Sequence, residues 1–73
     1  MLLSSKGIEN LKGIEHFTAL EKLDCSMNKI TYMDISNLHS LETLQCYDNI
    51  LEELNLSSNK NLKLLYCDNN KLT

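Results

Sequence analysis

The 73-residue sequence has no proline and no tryptophan, and its only glycines are Gly7 and Gly13. No Pro-, Gly- or Ser-rich stretch marks a linker, so residues 1–73 read as a single domain. Two isolated glycines also exclude a glycine-rich loop that cradles phosphate. Basic charge is scarce: the net charge is −3, the pI is near 5.2, and Lys6, Lys12, Lys22, Lys29, Lys60, Lys63 and Lys71 are scattered. No field gathers phosphates, and nucleic acid is not an expected partner. No apolar run approaches the roughly 18 residues needed to cross a bilayer, and Met1-Leu2-Leu3 is far too short for the apolar centre of a signal peptide. The chain is therefore expected to carry no membrane insertion and no export signal of its own.

What is present fits a folded protein. The apolar fraction is 42% and the charged fraction 23%, outside the range of disordered tails. A globule this small buries only about 60% of its unfolded surface, so a device beyond an ordinary core is expected. Three cysteines leave at least one thiol unpaired within the chain, and their spacing matches no zinc-ligand pattern. No metal or other cofactor is expected.

The device is internal repetition. Cys25, Cys46 and Cys67 recur every 21 residues, as do Leu20, Leu41 and Leu62, and Leu23, Leu44 and Leu65. Asn28, Asn49 and Asn70 follow each cysteine by three residues, and Ile30, Leu51 and Leu72 follow each asparagine by two. Met33 and Ile35 match Leu54 and Leu56. With Leu20 as position 1, the shared pattern is L-x-x-L-x-C-x-x-N-x-[IL]-x-x-[ML]-x-[IL].

This pattern closely resembles the leucine-rich repeat family, L-x-x-L-x-L-x-x-N-x-L, with cysteine in place of the third leucine. The 21-residue step, the cysteine and the Leu-Asn-Leu-Ser-Ser-Asn run at 54–59 are similar to the variant in bacterial surface and secreted proteins. The resemblance is clear over 20–73 and looser over 1–19. There Ile8, Leu11, Ile14, Phe17 and Leu20 recur every third residue, as in internalin-type repeats. With Ile8 at position 11, Leu3 takes the cysteine slot and Lys6 the asparagine slot, in a unit of 22 residues.

The resemblance implies an α/β-type leucine-rich repeat solenoid of about three coils, with short parallel strands, turns and little helix. Its divisions are a degenerate partial repeat at 1–19, repeats at 20–40 and 41–61, and a partial repeat at 62–73. It also implies a non-catalytic protein-binding module of a bacterial cell-surface or secreted protein, with a glycan as the second ligand class. The alternatives are a structural spacer within a longer repeat protein and, remotely, a thiol-dependent enzyme.

Periodicity supplies the details. Leu23-Asp24-Cys25, Leu44-Gln45-Cys46 and Leu65-Tyr66-Cys67 alternate as strands do. The alternations Met33-Asp34-Ile35 and Leu54-Asn55-Leu56 predict a second extended segment on the far side, and residues 13–17 predict a helical or 3₁₀ turn with Phe17 packed inward. Asn28, Asn49 and Asn70 are expected to form an inner ladder at the turns, because a short amide both donates and accepts. Cys25, Cys46 and Cys67 are expected to stack in the core as inert packing. One repeat cannot stand alone, and stability must come from contacts between neighbours. The chain opens mid-unit and stops just after an asparagine turn with no polar cap, which predicts end-to-end self-association or marginal stability.

Positions 3, 5 and 7 face outward in this register. They are Lys22, Asp24 and Ser26; Thr43, Gln45 and Tyr47; and Leu64, Tyr66 and Asp68. Gln45, Tyr47, Leu64, Tyr66 and Asp68 form the candidate partner-binding patch, since tyrosine combines apolar area with a polar tip. Chemistry elsewhere is poorly supported. His39 falls at position 20, away from the strand that carries the thiols, and a nucleophile needs its base within hydrogen-bond reach. Glu9, Glu15, Glu21, Glu42, Glu52 and Glu53 fall at varied positions and make no paired set. Asp24, Asp48 and Asp68 occupy positions 5, 8 and 7 and make no ladder of ligands.

Overall fold

The structure, a computed structural model, describes residues 1–72. The period-two alternation becomes three short strands: β1 (Lys22–Asp24), β2 (Thr43–Gln45) and β3 (Leu64–Tyr66). They form one parallel sheet in the order β1-β2-β3. Leu23 pairs with Leu44 and Leu44 with Leu65, so each residue lies beside its equivalent 21 positions along. The one helical element among the described residues is a 3₁₀ turn, Ile14–His16. The chain is thus mostly strand and loop.

Residues 1–5 extend the sheet on the open side of β1. Leu2 bridges Asp24; the Leu3 N–H donates to the Asp24 carbonyl at 2.7 Å and the Asp24 N–H to the Met1 carbonyl at 2.9 Å. The Ser5 N–H donates to the Ser26 carbonyl, just as Met27 donates to Tyr47 and Asp48 to Asp68. Leu3 therefore occupies the slot filled by cysteine in later units, and Lys6 that of asparagine.

The core lies behind the sheet. Leu23, Leu44, Cys25, Cys46, Ile30 and Leu51 are buried at matching positions, and Met33, Ile35, Leu38 and Leu41 close it from the far side. Burying a side chain of this kind stabilises by about 1.5–3 kcal/mol, so contacts between units rather than within one hold the chain together.

On the far side Met33-Asp34-Ile35 and Leu54-Asn55-Leu56 join no sheet, and turns follow them at Ser36-Asn37 and Ser57-Ser58. The Asp34 carboxylate accepts the Ser36 N–H at 3.1 Å and the Ser36 hydroxyl at 2.6 Å, while Asn55 Oδ1 accepts the Ser57 N–H at 2.9 Å. Asp and Asn favour such local closure, which competes with a ladder. The Ser36 hydroxyl, followed by its N–H, holds the Asp34 carboxyl below its usual range.

Beyond this closure the backbone runs in tandem three-residue turns. The Leu38 N–H donates to Ile35 and Leu41 to Leu38; Asn59 donates to Leu56 and Leu62 to Asn59. Ile14 donates to Leu11, Phe17 to Ile14 and Leu20 to Phe17 in the same way. The period of three in residues 11–20 is thus a hydrogen-bond period. These turns also locate the extra residue of the first unit. Leu11 precedes Met33 by 22 residues but Ile14 precedes Ile35 by 21, so the insertion falls at Lys12-Gly13. Gly13 absorbs it at φ 99°, a conformation that disfavours any side chain.

Phe17 does not pack inward: it is 50% exposed, whereas Leu38 at the matching step is fully buried. Leu38 has units on both sides, but Phe17 stands on the outermost one. With Leu3, Ile8, Leu11 and Ile14 it lines an apolar hollow of about 480 Å³ on that end.

Each strand ends in a turn governed by two residues. The first is left-handed: Ser5, Met27, Asp48 and Asn69 have φ between 55° and 57°. The second is the asparagine slot. Asn49 Nδ2 donates to the carbonyls of Cys46 and Tyr47 in its own unit and of Cys25 in the unit before, while its Oδ1 accepts the Ile30 N–H. Asn28 and Asn70 repeat the scheme, reaching back to Leu3 and Ile8, and to Cys46 and Leu51. The amides bond to backbone on two levels, not to one another.

Asn49→Leu should therefore destabilise the fold by roughly 1–3 kcal/mol, since buried backbone groups lose their partners. Denaturant melting checks this, and an unchanged midpoint would remove the role assigned to the amide. Met27→Asn should act in the opposite direction, raising stability by about 0.5–1 kcal/mol, because asparagine tolerates the left-handed conformation better than methionine. Its side chain is 45% exposed, so little packing is lost.

Candidate binding surface

The outward side of the sheet takes its shape from the strand register. On β1 Lys22 is exposed and Asp24 half-buried; on β2 Thr43 and Gln45 are half-buried; on β3 Leu64 and Tyr66 are 51% and 47% exposed. Gln45 pairs directly with Tyr66, and Tyr47 lies two residues beyond Gln45, which sets the two tyrosines diagonally across neighbouring strands. Tyr47 is half-buried and Asp68 exposed. Gln45, Tyr47, Leu64, Tyr66 and Asp68 thus lie within two adjacent units, apolar near β3 and polar at its borders.

Ser26 does not belong to this surface. It is fully buried, and its hydroxyl donates to Asp24 Oδ1 at 2.6 Å while its N–H donates to the same oxygen at 3.1 Å. A small side chain beside a carboxylate folds back onto it, which alternation alone cannot reveal. Leu2 joins the outward row instead, 78% exposed next to Asp24. A shallow groove of about 150 Å³ runs between Leu2, Lys22, Asp24, Thr43 and Gln45. The signal for Leu2 was its place one residue before Leu3 in the cysteine slot, which makes it the equivalent of Asp24.

The thiols lie on the opposite side of the same strands. Cys25 and Cys46 are fully buried; Cys67, at the edge unit, is partly so. All three are free. Burial, reinforced by the charge of Asp24, pushes the Cys25 thiol up from 9.0 to about 12; burial and the neighbouring Cys25 and Cys67 thiols push Cys46 up to about 12. Such thiols are protonated at neutral pH and are weak nucleophiles. His39 is exposed, and its Nδ1 lies 3.3 Å from the Ser58 carbonyl. No three His, Cys, Asp or Glu side chains converge as metal ligands among the described residues. None of these residues forms a helix long and apolar enough to cross a membrane.

One polar core residue escaped the repeat pattern. Asn59 occupies the step held by Leu38 in the unit before, is 4% exposed, and donates to the carbonyls of Ile35 at 2.9 Å and Leu38 at 3.0 Å. Its Oδ1 has no partner among the described residues. The three-residue spacing of Leu56, Asn59 and Leu62 would have revealed it. No family model matches the chain, and no curated protein matches it.

The cysteines give a pH test. A thiol whose pKa is raised on folding contributes stability that is full below its ordinary pKa of 9.0 and is lost as pH climbs toward about 12. Stability should fall over that window, and with a shallower slope in Cys46→Ala. At pH 8 a thiol reagent should label Cys67 first and reach Cys25 and Cys46 only on unfolding; rapid labelling of either in folded protein would reopen thiol chemistry.

Proposed function

We propose that the chain is a leucine-rich repeat solenoid segment serving as a non-catalytic protein-binding module of a bacterial cell-surface or secreted protein. The observation that carries this reading is the exposure of Leu64 and Tyr66 on the outward side of β3, next to Tyr47. Tyrosines beside an aliphatic side chain, rimmed by Gln45 and Asp68, have the composition of an interface hot spot. The sequence pattern supports the family, and the 21-residue parallel register is what such repeats require. A sheet without convergent acid, base or metal-ligating groups suits recognition of a surface better than turnover of a small substrate.

Truncating Tyr47 and Tyr66 should leave the fold nearly intact. The backbone carbonyls of both accept ladder bonds, from Met27 and Cys46 respectively, and these survive in alanine. Tyr47→Ala/Tyr66→Ala should weaken binding to a protein captured by the wild type by about 2 kcal/mol or more, measured by calorimetry beside a denaturant melt. Undiminished binding by the folded variant would move the site elsewhere. Capture of glycans but no protein would replace the ligand class, and capture of neither would favour a spacer.

A further inference from the structure

We propose that Asn55 is an acceptor for an N-linked oligosaccharide, carried on the far side of the chain from the sheet. The Leu-Asn-Leu-Ser-Ser-Asn run at 54–59 contains Asn55-Leu56-Ser57, an asparagine followed two residues later by a hydroxyl, which is the acceptor pattern for this modification. No other asparagine has serine or threonine at that spacing. The pattern selects nothing unless both side chains can be reached.

Both can. Asn55 and Ser57 are exposed. Their exposure belongs to the slot and not to the place of this unit in the chain: Asp34 and Ser36 hold the same positions in the preceding unit, have a unit on each side, and are exposed as well. A hollow of about 120 Å³ bounded by Tyr32, Asp34, Glu53, Asn55 and Ser58 leaves space beside the amide, between its unit and the one before.

The local bonding leaves the reactive groups unspent. Asn55 Oδ1 accepts the Ser57 N–H at 2.9 Å, closing an Asx turn. An amide nitrogen is a weak nucleophile because its electron pair is drawn toward oxygen, and a hydrogen bond on that oxygen makes the Nδ2 protons more acidic, so that a base of the transferase removes one more readily. Asn55 Nδ2 donates to nothing among the described residues, whereas the amides of Asn28, Asn49, Asn59 and Asn70 are committed to backbone carbonyls. The Ser57 hydroxyl likewise has no partner among the described residues, whereas that of Ser36 is held by Asp34 at 2.6 Å. The preceding unit therefore offers neither the amide nor an available hydroxyl. In the transfer, Asn55 Nδ2 forms a bond to the anomeric carbon of a lipid-pyrophosphate oligosaccharide. The bond from that carbon to the pyrophosphate oxygen breaks, its electron pair leaves with the lipid pyrophosphate, and one amide proton passes to the transferase. Tyr47 and Tyr66 stay uncovered, so the site is independent of the binding surface.

Transfer in vitro is the test. The protein, with folding confirmed by circular dichroism, is incubated with a detergent-solubilised oligosaccharyltransferase of Asn-x-Ser specificity and a synthetic lipid-pyrophosphate oligosaccharide, and its intact mass is read. The mass should rise by one glycan, which fragmentation should place on Asn55. Asn55→Gln should abolish the gain, and Ser57→Ala should slow it about tenfold or more through one lost hydrogen bond to the enzyme. A peptide of residues 50–60 serves as the unfolded reference. Modification of the peptide but not of the folded protein, modification of neither, or a glycan on another asparagine would overturn the proposal.

Discussion

At the end of each strand the backbone must leave the sheet, and the carbonyl and N–H groups it turns inward are beyond reach of the strand ladder. Asn28, Asn49 and Asn70 meet this need with an amide that donates and accepts at once. Leucine would fit the volume but offer neither function, and an aspartate could accept but not donate. Because Asn49 reaches Cys25 as well as Cys46, it ties two units at a fixed offset. The in-register pairing of Leu23, Leu44 and Leu65 is then the arrangement that lets every amide reach both levels.

Burial follows from this tie. Residues with a unit on each side, such as Leu38, Leu44 and Cys46, lose all contact with water, while Leu65 and Phe17 on the outermost units do not. All three residues of β3 are exposed, against one of three in β1 and none in β2. Protection is thus greatest in the middle of the chain, and local opening at the ends costs least. The surface richest in exposed apolar side chains therefore lies on the least protected strand.

The strand side was legible because period two, period 21 and the asparagine spacing all coincide in Leu44, Cys46 and Asn49. On the far side Met33-Asp34-Ile35 has the alternation of a strand but joins no ladder, and Asp34 closes onto Ser36, a local bond that hydrophobic pattern does not encode. Phe17 misled because a repeat pattern describes a residue with neighbours on both sides. Ser26 did so because its outward position is overridden by Asp24 beside it. Asn59 lay hidden in a leucine step, where only hydrogen-bond accounting distinguishes a buried amide from a surface one.

The extra residue at Lys12-Gly13 shows where the chain measures length strictly and where it does not. Between Leu3 and Ile8 the spacing equals that between Cys25 and Ile30, and from Ile14 onward the step returns to 21. The surplus is confined to one bend opposite the sheet, where Gly13 adopts φ 99° and nothing lies within 4 Å of a Cβ placed there. The sheet side acts as a ruler and the back as slack. Insertions and deletions arising by replication slippage would therefore survive at the back bends and be purged at the strands, and an epitope tag or reporter loop would be best tolerated at Lys12-Gly13.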